Sequence, residues 1–211
     1  MTAACPHCGA SPESLLFCGA CGNLLRADGT PDPFGVFGLE PSAEVDPGAL
    51  KKSLLSLQRA MHPDFFAGAD EAIRELADHN TAELNAAFDI LSDDFRRADH
   101  LIRSLGGPDE NEERQMPQAF LMEVMEWNET LEEARESDPG SAERAAADEL
   151  KETLVEERET LLSAVAGHLT PLPPSGDAAL TETRRQLNAV RYVDRALRQI
   201  EEIRLEGASR R

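Results

Sequence analysis

Apolar and polar positions alternate along this chain with a helical period. Leu50, Leu54, Leu57 and Met61 recur at spacings of four, three and four, and after a polar interruption Ala77, Leu84, Phe88 and Leu91 fall on one helical face. The first stripe predicts a helix from Pro47 to about Met61, opened by Asp46 as N-cap with Pro47 at the first helical position. The second predicts a longer helix from about Glu71 to Leu91. Ser92-Asp93-Asp94 then offers a new N-cap for a short helix from Phe95 to Leu105 that ends at Gly106-Gly107. Upstream, Phe34 to Leu39 reads as a brief helix that packs Phe34, Phe37 and Leu39 against this hairpin. Downstream, three amphipathic helices follow. One runs from about Gln118 to Glu136. The next starts after Ser141 as N-cap, with Ala147, Leu150, Leu154, Leu161 and Val165 on one face. The last runs from about Ala178 to Leu205, with Val190, Val193, Leu197 and Ile200 inward. Their short connections predict an antiparallel three-helix bundle. The turn-rich Asp28 to Pro33 and the polar, acidic Pro108 to Pro117 read as linkers, which gives modules over residues 1–28, 32–107 and 117–206.

Between the two hairpin helices stands His62-Pro63-Asp64. Pro63 disfavours helical geometry at His62 and cannot donate a backbone hydrogen bond, so the helix should stop there and leave His62 and Asp64 in an exposed turn. Phe65 to Asp70 reads as loop. By itself the tripeptide is an ordinary helix-terminating turn. Its flanks alter that reading: Lys52 and Arg59, seven apart, share a helical face away from the leucine stripe, with Lys51 beside them. A basic face that leads into the turn suits an acidic partner. Helix, His-Pro-Asp, helix, with that basic face, resembles the J-domain of DnaJ-type co-chaperones, which stimulate ATP hydrolysis by a DnaK-type chaperone.

The helix from Gln118 has more apolar surface than a bundle core uses. At about 100° per residue, Phe120, Val124, Trp127 and Leu131 form one stripe, whereas Leu121, Met122 and Met125 lie on nearly the opposite face beside Glu126 and Glu129. Tyr192 likewise lies off the inward stripe of the last helix. Packing on the hairpin would account for these side chains; an apolar group rimmed by carboxylates, rich in adaptable methionine, also reads as a protein-binding surface.

Composition narrows the partners. The 211 residues carry 21 Lys and Arg against 40 Asp and Glu, a formal net charge of −19, so the field of the chain would repel nucleic acid and anionic membranes. No stretch reaches the length of a membrane-spanning helix. Met1-Thr2-Ala3-Ala4-Cys5 has neither the apolar core of a signal peptide nor an Arg-rich amphipathic stretch, which leads to an expectation of a cytosolic protein.

All four cysteines fall near the N-terminus, as Cys5-Pro6-His7-Cys8 and Cys18-Gly19-Ala20-Cys21, each pair followed by glycine. Two CxxC turns supply four soft thiolates, which suit one tetrahedral zinc ion. With no ligand position left open for water, a structural zinc is expected. Two disulfides and an iron centre are the alternatives, the former disfavoured in a reducing cytosol.

Taken together, these segments resemble the HscB family of J-type co-chaperones of iron–sulfur cluster assembly. Asp32 to Leu39 is similar to that family's opening aromatic segment, Leu57-Gln58-Arg59-Ala60-Met61-His62-Pro63-Asp64 to its helix and signature turn, and Arg97-Ala98-Asp99-His100-Leu101-Ile102 to its fourth J-domain helix. Ala119-Phe120-Leu121-Met122-Glu123 resembles its most recognisable C-terminal motif, and Arg191-Tyr192-Val193-Asp194-Arg195 a last-helix motif. The resemblance implies an all-α fold: a J-domain docked on a three-helix bundle in an L shape, here preceded by a zinc-ribbon-like module. It implies a DnaK/HscA-type chaperone ATPase engaged through His62, Pro63 and Asp64, and an IscU-type scaffold held on Leu121, Met122, Met125, Glu126, Glu129 and Tyr192. No covalent chemistry is expected of the chain itself, nor binding to nucleic acid or membrane, and it is expected to act as a monomer.

This sequence departs from the family pattern in having Phe65 where a basic residue is common, Met125 in place of leucine and Tyr192 in place of phenylalanine. The cysteine pairs resemble an extension of eukaryotic members. The expected compartment is the cytoplasm for a bacterial protein with that extension, or the mitochondrial matrix for a processed eukaryotic form. Two rival functions are a general J-protein for unfolded clients and a zinc or redox protein centred on the cysteines. A hydrolase built on His62 and Asp64 lacks a nucleophile motif.

Overall fold

A computed structural model describes residues 4–209; Met1 to Ala3, on which part of the leader reading rests, lie outside the described residues. The described residues hold seven α-helices and one 3-10 turn, with an isolated antiparallel bridge between Phe17 and Leu24 as the β-type pairing, so the all-α expectation holds. The chain divides into two compact units, Met1–Arg97 and Ala98–Arg211.

In the first unit, α1 (Pro33–Phe37) is set by its ends. Asp32 accepts the Gly35 N–H at 2.9 Å, Pro33 fills the first helical position, and Gly38 closes the helix at φ 66°. Gly38 is required twice over, because a Cβ there would also lie 2.0 Å from the Glu13 carbonyl oxygen of the cysteine segment. Phe34 and Val36 are fully buried and Phe37 nearly so, while Leu39 is exposed. The expected packing of Leu39 is therefore corrected: the left-handed turn at Gly38 carries the chain off the helix, and Val36 takes the inward place.

α2 (Pro47–Ala60) is capped by Asp46, which accepts the N–H groups of Gly48 and Ala49. Its stripe packs against α3 (Glu71–Leu91), where Ala77, Leu84 and Leu91 are buried. The segment after the His-Pro-Asp turn is not all loop. Pro63–Phe66 forms a 3-10 turn, because Pro63 is preorganised for a first helical position and the His62 ring caps it. Ser92 closes α3 rather than opening the next helix. Asp93 is the cap of α4 (Asp94–Ser104), accepting the Arg96 N–H at 2.8 Å.

In the second unit, α5 (Gln118–Glu136), α6 (Ala142–His168) and α7 (Ala179–Ser209) pack pairwise into a bundle, with Ser141 capping α6 as expected. Phe120, Trp127 and Leu131 from α5 meet Ala147 and Leu154 from α6 and Val193 and Ile200 from α7. Phe120 and Trp127 stack edge to face at 5.2 Å. Leu154, with no exposed surface, contributes about 2–3 kcal/mol by its burial. The acidic stretch at 108–117 is fastened to α7: Asn188 donates to the carbonyls of Glu113 and Gln115 at 2.9 Å each, Arg185 pairs with Glu113 at 3.0 Å, and Arg191 pairs with Glu110.

Candidate functional site

The two cysteine turns converge. The four sulfurs lie within 4.8 Å of one another, with Cys5–Cys21 and Cys8–Cys18 at 3.8 Å. Four thiolates about 2.3 Å from one zinc ion would stand about 3.8 Å apart on a tetrahedron, so the donor set and its spacing fit a tetrahedral metal. No disulfide joins the four cysteines. Gly9 and Gly22, at φ 75° and 72°, let each turn fold back so that their N–H groups reach the carbonyls of Cys5 and Cys18. Cys5 and Cys18 are buried, while Cys8 and Cys21 face solvent. The side-chain amide of Asn23, 3.3 Å away, and its backbone N–H donate to the Cys21 sulfur and lower its pKa to about 6, whereas at Cys8 the backbone of Ala10 acts downward but the other three thiols and desolvation prevail and push it up to about 12.

The module is built into its unit. Asn80 of α3, fully buried, donates from Nδ2 to the carbonyls of Leu16 at 2.9 Å and Leu25 at 2.8 Å, and Ser14 donates to Val36 O at 2.7 Å. The signal for Asn80 was present in the sequence as a polar residue on the apolar face that carries Ala77 and Leu84, three residues before it and four after.

At the turn, His62 Nδ1 accepts the Asp64 N–H at 3.2 Å, which leaves the proton of the neutral imidazole on Nε2. The His62 ring stands edge-on to Phe65, with centroids 6.4 Å apart. The side chains of His62 and Asp64 are 55% and 90% exposed. These groups are therefore presented outward rather than gathered around a reacting centre. Along α2, Lys51, Lys52 and Arg59 are exposed and line an open groove of about 1060 Å³ together with Leu55, Phe65 and Phe17.

On α5 the second apolar face is exposed: Met122 is 72% and Met125 65% accessible, Leu121 less so, and Glu126 and Glu129 flank them in solvent. Tyr192 is exposed on α7, the helix that packs along α5.

Comparison with known proteins bears on these features. A family model described as the HSCB C-terminal oligomerisation domain matches residues 116–201, the span of the bundle that bears the methionine face. A co-chaperone protein HscB homologue of Pseudoalteromonas atlantica is 32% identical over 170 residues, covering 80% of this chain and 93% of the relative. The chain belongs to the HscB co-chaperone family. The homologue of Shewanella halifaxensis is 41% identical over 113 residues, a match that spans 53% of this chain and 65% of that protein. Among solved structures, human co-chaperone protein HscB matches with a TM-score of 0.73 and 25% identity over 96% of this chain and 97% of its own. HscB from Vibrio cholerae matches with a TM-score of 0.68 and 25% identity over 83% and 99%.

Within this HscB-family chain, the motif at 97–102 gains a physical explanation. Arg97, nearly buried, donates from Nε to Ala43 O at 2.8 Å and from Nη1 to Leu91 O at 2.5 Å, and pairs with Asp94. Asp99 accepts from the fully buried Arg184 at 2.7 Å, and Arg184 also donates to Pro108 O at 2.8 Å. These two arginines organise their units rather than meet a partner. Sequence periodicity did not single them out, although Arg184 interrupts an inward stripe between Leu180 and Leu187.

Proposed function

We propose that this chain stimulates the ATPase of a DnaK/HscA-type chaperone and delivers an IscU-type scaffold to it during iron–sulfur cluster assembly. The observation that carries the reading is that one chain exposes two dissimilar docking features: a His-Pro-Asp turn at the end of a basic helix, and a methionine-rich face rimmed by carboxylates on a separate helix. Residues 32–107 would serve the ATPase and 117–206 the scaffold.

In this reading the chain performs no covalent step. Lys51, Lys52 and Arg59 attract an acidic surface of the ATPase and orient it on α2. His62, held by the Asp64 N–H, and Asp64 itself then contact the ATPase so as to bind its hydrolysis-competent state more tightly, which shifts its population. Leu121, Met122, Met125 and Tyr192 bury apolar surface against the scaffold, with Glu126 and Glu129 setting register. Holding the scaffold beside the ATPase raises its effective concentration there. Cys5, Cys8, Cys18 and Cys21 would hold one zinc ion, whose contribution is to tie the two turns together.

The test is single-turnover ATP hydrolysis by the chaperone with this protein alone, with the scaffold added, and with His62→Gln. Stimulation that requires His62 and grows with scaffold supports the reading. Stimulation indifferent to scaffold points to a general J-protein, and none at all refutes the reading.

A further inference from the structure

The groove beside α2 has a wall from outside the helical hairpin. Phe17 and Gly22, which flank the second cysteine turn, line it together with Lys51, Lys52, Leu55 and Arg59. Phe17 is half-buried and its backbone is paired with Leu24; its neighbour Leu16 is fixed to α3 through Asn80. The wall is therefore held in position by buried hydrogen bonds rather than by loop contacts.

The lining is chemically selective. Leu55 and Phe65 are exposed apolar side chains, Phe65 75% so, and three cations stand among them. None of the described residues lining the groove is acidic, in a chain where Asp and Glu outnumber Lys and Arg by 40 to 21. At about 1060 Å³ the groove is at the upper limit for a small-molecule site and lies open, which suits a protein surface. It is also continuous with the His-Pro-Asp turn through Phe65 and Phe66.

We propose that the tetracysteine module is part of the ATPase-docking surface, with Phe17 and the Gly22 turn contacting the same acidic, partly apolar face of the chaperone that α2 and the His-Pro-Asp turn engage. The inference rests on the proposed function and extends it, because it gives the module a contact as well as a structural role. The occupant defined by the lining is an acid-rich surface carrying one or two apolar anchors. Its carboxylates would pair with Lys51, Lys52 and Arg59, and its anchors would fill the space between Phe17 and Leu55.

The test uses the intact 211-residue chain. Single-turnover hydrolysis is titrated with wild type, Phe17→Ala, Phe17→Glu and His62→Gln, and half-saturating concentrations are compared. Phe17→Glu is expected to raise the half-saturating concentration about ten-fold or more, and Phe17→Ala about three-fold to ten-fold. His62→Gln reports separately on the proposed function by losing stimulation. Metal content and helical circular dichroism establish that each variant is folded. Leu55→Glu, in the same lining but on α2, is expected to shift half-saturation in the same direction, and Phe17→Leu, which keeps an apolar side chain, to stay near wild type. Wild-type half-saturation in folded, metal-loaded Phe17→Glu overturns the inference while leaving the proposed function standing. Absence of stimulation by wild type removes both. A concentration-dependent dimer in sedimentation velocity that Phe17→Glu abolishes would assign the groove to a second copy of the chain and also overturn the inference.

Discussion

Replacing Asn80 with alanine should release the cysteine module from the helix that carries it. Asn80 is fully buried, and its Nδ2 group supplies two hydrogen bonds to carbonyls on either side of the second cysteine turn, Leu16 O at 2.9 Å and Leu25 O at 2.8 Å. The two carbonyls are not equivalent. Leu16 O also accepts the Leu25 N–H at 2.9 Å and would keep that partner. Leu25 O would be stranded, at a cost of about 1–3 kcal/mol, and the second lost bond adds about 1 kcal/mol. The sum, about 2–4 kcal/mol, falls on the local opening of the module before it falls on the whole fold, since the rest of α3 packs through Ala77, Leu84 and Leu91. The assay is metal release to a colorimetric chelator in large excess, where the rate follows the population of the opened module. A cost of 2–4 kcal/mol corresponds to an acceleration of roughly thirty-fold to several hundred-fold. Amide exchange should quicken at Cys18 and Leu25, whose N–H groups close the turn, and remain slow at Leu84. A release rate within two-fold of wild type, with unchanged exchange at Leu25, would refute the argument that this side chain anchors the module.

Other consequences can be measured in parallel. Arg184→Met removes the buried donor to Asp99 and Pro108 O; because Asp99 keeps Arg103 at 3.0 Å and is partly exposed, the expected loss is about 2–4 kcal/mol in urea unfolding, less than for a fully enclosed pair. The Gln115 backbone N–H and Arg185 hold the Glu113 carboxyl below the usual glutamate range, and backbone N–H groups of Asn111 and Glu112 do the same for Asp109. For carboxyls with depressed folded-state pKa values, the stabilisation is present above the ordinary carboxylate range and is lost as pH falls through the depressed values. Amide protection at Asn111, Glu112 and Gln115 should therefore persist at pH 5 and disappear on further acidification, which exchange measured across that range would check. If the four cysteines hold the proposed metal ion, Cys5→Ser should abolish its stoichiometric binding and lower the thermal midpoint of the first unit, read by metal analysis and calorimetry. Met122→Ala combined with Met125→Ala should weaken scaffold binding about ten-fold to a hundred-fold in titration calorimetry while leaving the unfolding midpoint nearly unchanged, since both side chains are exposed.

The sequence alone determined the helices and most of their limits. Asp46-Pro47, Ser141 and the hydrophobic stripes act through local geometry, and local geometry depends on residues three and four apart. The convergence of the four cysteines was legible for the same reason: two thiols on each tight turn already constrain where the sulfurs point. The off-core methionine face on α5 was visible as surplus apolar surface. Within Ser92-Asp93-Asp94 the sequence offered three adjacent caps, and the fold selected Asp93; the 3-10 turn after His62 was missed because it depends on the imidazole acting as a cap. What tertiary structure alone decided are the contacts between residues distant along the chain. Asn80 reaches across 55 and 64 positions to the cysteine module, Arg184 across 85 to Asp99, and the acidic stretch near Glu113 is bound to α7 instead of hanging free. Phe17 joins the groove beside α2 only because that module is docked on α3. Hydrophobic periodicity reports which face of an element is buried but not what it meets. A buried polar side chain, whose hydrogen bonds must be satisfied by particular partners, is where the folded chain supplies that missing information.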